Sequence, residues 1–291
     1  MTMRRWLTAL VPTVLTMAAL AACAPTPDPA RPAFWQVTGP QGQKGWLLGT
    51  IHALPRPAAW RSPAIDTALG QANVVAVEIA NLDDASAMAT LFGKLEHSPN
   101  LPPLSARVDP ALRVALAGLL AEAHMTEADF ATTETWSAAL RLARAGDSAG
   151  DSSNGVDRAV LHAARGKQVV ELEGAGVQLG LFDKMPEAEQ RAMLNAVLRD
   201  SGQDETADLA AAWRKGDFAA IEAETRRGML AEPALRETLF TGRNKDWTDQ
   251  LALRLGKGER VFVAVGAAHM AGPDGVAAML AARGFAVTRL Q

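Results

Sequence analysis

Two of the chain's five histidines close the same short phrase, Gly-x-x-His, and each phrase follows an apolar run that reads as a β-strand. The first is Gly45-Trp46-Leu47-Leu48-Gly49-Thr50-Ile51-His52, and the second is Val261-Phe262-Val263-Ala264-Val265-Gly266-Ala267-Ala268-His269. A glycine at a strand end lets the backbone turn sharply, so each imidazole is expected at the rim of a sheet. Two further apolar runs end in carboxylates, Val74–Val77 in Glu78 and Val169–Leu172 in Glu173. If the four strands are parallel neighbours, these side chains converge outside their carboxyl ends, where open α/β sheets bind ligands. Two imidazoles and a carboxylate with an open position form a recurring catalytic metal set. Such an ion lowers the pKa of water into the neutral range, and a nearby carboxylate can accept a proton as general base. His52, His269 and Glu78 are therefore the candidate metal ligands. Glu78, embedded in Val-Val-Ala-Val-Glu-Ile, needs a partner once buried. Glu171 and Glu173 stand at the end of their run, where a solvated or helix-capping role is equally open.

Two other phrases could serve such a site. Arg243-Asn244 follows Leu239-Phe240-Thr241-Gly242, and an arginine there could hold a substrate carboxylate or stabilise an oxyanion; a surface arginine on an amphipathic helix fits the same spacing. In Gly155-Val156-Asp157-Arg158, Asp157 is either a helix-start residue facing first-turn amides or a carboxylate orienting a ligating histidine. The start-of-helix role is the simpler expectation. His97 in a polar loop, His124 at a helix end and His162 within a helix carry no such pattern. Tryptophans such as Trp35, Trp46, Trp136, Trp213 and Trp247 suit packing better than ligand binding. There is no Gly-x-Ser-x-Gly, Walker loop, dinucleotide fingerprint or His-Glu-x-x-His.

The elements that must position these residues are legible in the apolar periodicity. Strand-like runs are Phe34–Thr38, Trp46–Gly49, Val74–Ile79, Gln168–Leu172, Val261–Val265 and Phe285–Leu290, several of them apolar throughout, as for strands covered on both faces. Helical patterns cover Ser62–Gln71, Asp109–His124, Thr133–Ala145, Val156–Gly166, Glu187–Asp200, Asp204–Lys215, Leu235–Leu255 as one helix or two, and Pro273–Arg283. Pro273 is expected in the first helical turn and Gly284 just past the end. The expectation is an α/β fold whose mostly parallel sheet core comes from both chain ends. Helical segments at about 95–150 and 175–235 form an insertion or cap, with a ligand cleft between cap and core.

The front end points to the cell envelope. Met1-Thr2-Met3-Arg4-Arg5 and the apolar stretch Trp6 to Leu20 have the layout of a secretory signal, too short and broken for a spanning helix of ~20 apolar residues. Leu20-Ala21-Ala22-Cys23 resembles a bacterial lipobox, and Cys23 is the chain's one cysteine. Residues 1–22 then form the signal peptide, with Cys23 the lipidated first residue, and 23–33 a Pro-rich extended tether. The folded domain is expected over 34–291. Ala24 after the cysteine matches lipoproteins sorted to the outer membrane, facing the periplasm. A net charge of −3 without basic blocks excludes the electrostatic footprint of a nucleic-acid binder.

Taken together, these phrases resemble the TraB/PrgY/GumN family, which includes the TIKI proteins. The resemblance rests on Trp46 to His52, Val77-Glu78, Gly155-Val156-Asp157, Glu171-Leu172-Glu173 with Gln178-Leu179, Arg243-Asn244, and Val265 to His269 followed by Gly272-Pro273-Asp274-Gly275-Val276. They run in order over about Trp35 to Leu290. The resemblance implies a fold related to the erythromycin esterase and ChaN-like group. It also implies metal-dependent proteolysis, since TIKI members act with manganese or cobalt and trim an amino-terminal segment of Wnt; the pheromone-related branch is linked to shutting down peptide signals. Carried over, His52 and His269 are metal ligands, Glu78 a ligand or base, and Arg243 and Asn244 substrate or supporting groups. A Wnt substrate does not carry over to a lipobox-bearing bacterial chain. The leading expectation is a metal-dependent hydrolase using manganese, cobalt or zinc on a peptide or other small substrate, held to the membrane through Cys23. Its rivals are a haem- or metal-binding lipoprotein without catalysis, and a non-catalytic partner in envelope or polysaccharide export.

Overall fold

Near-continuous apolar strands call for cover on both faces, and the computed structural model supplies it. Residues 26–146, 150–201 and 205–291 are described; the expected signal peptide and Cys23 lie outside them. The strands are β1 (Asp28–Pro29), β2 (Phe34–Thr38), β3 (Lys44–Thr50), β4 (Ala58–Ala59), β5 (Val74–Val77), β6 (Gln168–Glu171), β7 (Val261–Gly266) and β8 (Ala286–Arg289). Six of them form one sheet in the order β6-β5-β7-β3-β2-β8. The first four in that order are parallel neighbours, while β2 pairs antiparallel with both β3 and β8. The sheet is thus mostly parallel and built from both chain ends.

The helices are α1 (Pro63–Gln71), α2 (Ala85–Leu95), α3 (Arg113–Glu122), α4 (Thr135–Gly146), α5 (Val156–Ala163), α6 (Gly174–Asp183), α7 (Glu187–Asp200), α8 (Glu205–Lys215), α9 (Phe218–Glu224), α10 (Pro233–Arg236), α11 (Gly242–Gly256) and α12 (Val276–Ala282). Alternation along the strands sorts side chains to two cores. Trp46, Leu48, Val75, Val77 and Phe262 meet Ile65 of α1, Val160 of α5 and Trp213 of α8. Leu47, Val74, Ala76, Val263 and Val265 meet Trp247 and Leu251 of α11 and Leu280 of α12 on the other side. Each fully buried Val, Leu, Ile or Phe among them contributes about 1.5–3 kcal/mol.

A third core belongs to the helical cap: Leu116 and Leu119 of α3, Leu142 of α4, and Met193 and Leu194 of α7 pack with Leu235 and Leu239. The last two lie on the segment that runs into α11, so the cap is tied to the same helix that reaches the sheet rim. Within it Arg107 is 1% exposed yet satisfied, donating to the carbonyls of Pro102, Thr133 and Phe130.

Several expectations need adjusting. The Leu235–Leu255 stretch is neither one regular helix nor two separate ones, because a π-helical turn at Glu237–Thr241 joins α10 to α11. Pro273 does not open the last helix. Gly272 at φ +71° and a close-packed Gly275 form a turn first, and α12 starts at Val276. Residues 28–33 of the expected tether lie on the fold, where β1 pairs with β4 and Arg31 N–H donates to the Arg214 carbonyl at 2.7 Å. Helix α2, absent from the expected set, is preceded by Asp84, whose side chain caps it by accepting from the Ala87 amide, and it buries none of its residues.

Candidate functional site

Parallel register brings the four chemistry-bearing strand ends to one rim. Thr50 of β3 aligns with Gly266 of β7, Val77 of β5 with Ala264, and Val77 with Glu171 of β6. His52, His269, Glu78 and Glu173 follow just beyond those ends, as the converging-strand expectation required.

Of the glycines of the two phrases, Gly49 is needed for space rather than for an unusual turn, whereas Gly266 marks where the candidate side chains gather. Neither has the left-handed backbone reserved for glycine. A methyl group on Gly49 would lie 3.0 Å from Cα of Ala267, so β3 and the turn after β7 approach closely only because that side chain is missing. A methyl on Gly266 would lie 3.4 Å from Glu78 Oε1, 3.5 Å from His52 Nε2 and 3.7 Å from His269 Cδ2. Three of the candidate side chains therefore surround the Gly266 backbone.

Each imidazole is anchored through Nδ1. His52 Nδ1 lies 2.9 Å from Asp157 Oδ2, and the other oxygen of Asp157 accepts from Thr50 Oγ1 at 2.5 Å. Asp157 thus orients a histidine from the start of α5, rather than serving the first-turn amides alone. His269 Nδ1 lies 2.6 Å from Asn244 Oδ1, and Asn244 Nδ2 donates to the Asp274 carbonyl at 2.7 Å. Because Nδ2 is committed to that carbonyl, Asn244 can only accept from His269. His269 is then the Nδ1–H tautomer, with a lone pair on Nε2.

Arg243 links the acidic residues. It contacts Glu173 through Nε at 3.1 Å and through Nη2 as well, and Nη2 also donates to Glu78 Oε2 at 3.0 Å. Its Nη1 donates to the Leu239 carbonyl at 3.2 Å and faces His269 Nε2 at 3.2 Å. Its guanidinium lies 4.7 Å above the Trp247 ring. Glu78 Oε1 takes the Gly266 amide at 2.8 Å, and Gln178 reaches Oε2 at 3.4 Å. Glu173, Arg243 and Glu78 are all nearly buried, so the Glu173 carboxylate is not solvated; the residue holds the N-cap position of α6, but its side chain makes no capping hydrogen bond and pairs with Arg243 instead.

The charges follow from these contacts. Asp157 raises the pKa of His52 to about 10; the ring is 69% exposed, so water screens part of that attraction. Burial lowers His269 to about 3, with Arg243 adding to the effect. Burial alone would raise Glu78, but the neighbouring histidines, Arg243 and the Gly266 amide outweigh it and hold the carboxyl below its usual range. For Asp157, too, His52 and Thr50 overcome burial and keep the carboxyl low. For Glu173 burial wins, and the pKa is raised although Arg243 opposes it.

The family model for the TraB/PrgY/gumN family matches residues 33–289, nearly the whole chain and every residue of this rim. The chain belongs to the TraB/PrgY/gumN family. Comparison with curated proteins and with solved structures gives no match.

Some of the site escaped the sequence analysis. Thr50, Phe240 and Trp247 all contact it: Phe240 stacks on His269 with ring centroids 5.3 Å apart, and Trp247 lies 4.6 Å from the same ring. The signal for the aromatic pair was present, because Phe240, Arg243, Asn244 and Trp247 follow the i, i+3, i+4, i+7 spacing of one helix face. The remaining histidines behave as expected; His162, for instance, pairs with Asp83 at the surface.

Proposed function

We propose that this protein is a metal-dependent hydrolase acting on peptides, anchored at the bacterial cell envelope through a lipid on Cys23. The observation that carries this reading is the arrangement over Gly266. Two histidines are fastened by Nδ1, and His52 Nε2 and Glu78 Oε1 both border the space over that glycine. Fastening one ring nitrogen to fix the other for an ion is how proteins orient metal-binding histidines.

Among the described residues, no group of three or more His, Cys, Asp or Glu side chains stands as a ready-made metal cluster. The donor chemistry nevertheless suits one. Glu78 is ionised, His269 is neutral with an Nε2 lone pair, and Arg243 Nη1 is what occupies that lone pair. His52, His269 and Glu78 would hold the ion, His269 exchanging its contact with Arg243 for it and His52, which Asp157 holds toward the imidazolium, giving up its Nε2 proton. A divalent ion there acts as a Lewis acid toward a carbonyl and lowers the pKa of water.

The chain's own residues supply the rest. Glu173 and Glu78 hold the Arg243 guanidinium in place, leaving its Nη1 edge to steady negative charge developing on a substrate oxygen. Asp157 and Asn244 keep the two imidazoles oriented. Among the described residues no helix is long and apolar enough to cross a membrane.

The test is a peptide-library cleavage screen with manganese, cobalt and zinc added separately to the chain from residue 24 onward. Metal-dependent cleavage that disappears in His52→Ala supports the reading. Cleavage indifferent to chelator, or none with any metal together with a Soret band on haem titration, overturns it.

A further inference from the structure

The turn Gly272-Pro273-Asp274-Gly275 stands outside the ligand set, yet its backbone is shaped as though position mattered there. Gly272 has φ +71°, and a methyl group on Gly275 would lie 2.5 Å from the Met270 carbonyl, so glycine is required at both ends. What the turn presents is Asp274. Its backbone carbonyl takes Asn244 Nδ2 at 2.7 Å, and its carboxylate takes Arg236 Nη2 at 2.9 Å.

Arg236 makes none of the contacts around Gly266 but reaches His269 along two arms. Through Asp274 it holds the carbonyl that sets which way Asn244 points, and Asn244 sets the His269 tautomer. Through its planar face, 4.8 Å above the Phe240 ring, it backs the aromatic side chain that stacks on His269. A third contact, to the Thr225 carbonyl, fixes the guanidinium from the α9 side. Arg236 is 20% and Asp274 38% exposed in their side chains. An ion pair this open adds little to stability, so its effect is geometric.

We propose that Arg236 is a positioning residue for His269, acting through Asp274 and Asn244 on one arm and Phe240 on the other, so that the imidazole keeps its Nε2 lone pair toward the site. The consequence for metal affinity rests on the hydrolase reading above; the consequence for the imidazole does not.

The experiment compares wild type with Arg236→Gln, Arg236→Lys and Asp274→Ala, reading the His269 tautomer in the metal-free protein from its ring-nitrogen NMR shifts. Mn2+ affinity is measured beside it, and melting temperature serves as the check on folding. Wild type should show a single Nδ1–H form. Arg236→Gln should show mixed tautomers at His269 but not at His52, with Mn2+ binding weakened roughly 10-fold. Arg236→Lys keeps the charge but not the planar stack and should fall between. Asp274→Ala removes one arm while retaining the carbonyl, and it carries the comparison if Arg236→Gln fails to fold. An unchanged His269 tautomer in both Arg236→Gln and Asp274→Ala overturns the proposal. Absence of Mn2+ binding in wild type would count against the hydrolase reading alone, since the tautomer comparison stands without it.

Discussion

His52 and His269 end neighbouring parallel strands, yet one ring stands largely in water and the other is 9% exposed between Phe240 and Trp247. The first is anchored on a carboxylate and pushed toward the imidazolium; the second is anchored on a neutral amide and held neutral. The same four-residue phrase therefore yields opposite protonation preferences. What decides them is the Asp157 carboxylate beside His52 in one case and the burial of His269 in the other. Such a pair suits one buried, pre-set ligand and one exposed ligand at the mouth of the site.

The largest way to break this asymmetry is to remove the guanidinium on the His269 side. Arg243→Leu leaves Glu78 and Glu173 buried without their cation, and should cost about 3–5 kcal/mol in urea unfolding. A loss below about 1 kcal/mol would mean that the carboxylates are compensated from elsewhere. The two glycines sharpen the comparison next. Gly49→Ala drives a methyl against the Ala267 backbone and should cost about 1–3 kcal/mol. Gly266→Ala meets only ordinary contacts and should cost less than about 1 kcal/mol, while filling the space that the proposed ligands share and so weakening the proposed metal binding. Equal destabilisation by both substitutions would contradict the spatial account of the motif.

The anchors come third. Asn244→Leu and Asp157→Leu should each weaken Mn2+ binding by roughly 10–100-fold in calorimetry, with no change in either variant counting against the Nδ1 anchors. A fourth contrast lies in the pH dependence of the metal-free protein. His269 is depressed to about 3 from 6.5, so its contribution to stability is complete above pH 6.5 and is lost as pH falls toward 3. His52 is raised to about 10 from 6.5, so its contribution is complete below pH 6.5 and is lost as pH rises toward 10. Denaturant midpoints across pH should show the acid limb reduced in His269→Gln and the alkaline limb reduced in His52→Gln. The alkaline limb is the shallower of the two, because His52 is exposed. Identical profiles in both variants would erase the contrast.

How much of this was legible in the sequence depended on whether the signal was local. Apolar runs bounded by Gly or charged residues placed the strands of the main sheet to within one or two residues, because a strand covered on both faces leaves a nearly unbroken pattern. The convergence of His52, Glu78, Glu173 and His269 followed from strand ends plus the assumption of parallel neighbours, which the order β6-β5-β7-β3 satisfies. Helix α2 was missed although Met88, Leu91, Phe92 and Leu95 stand at i, i+3, i+4 and i+7; the stripe is there, but the structure covers it only partly. Asp157 and Asn244 were ambiguous for a different reason: their partners lie 105 and 25 residues away in the chain, and no local spacing reports such a contact. The misplacement of Pro273 came from applying a sound helix-start preference to a proline that sits in a glycine-bounded turn.

The central claim, that two differently anchored histidines share one divalent ion with Glu78, is tested most directly by metal content. The chain from residue 24 onward would be purified without chelators beside a His52→Ala/His269→Ala double variant that retains the wild-type circular dichroism. About one ion per chain in wild type and none in the variant is the result this account predicts. Equal metal in both, or none in either after reconstitution with manganese, cobalt and zinc, would contradict it.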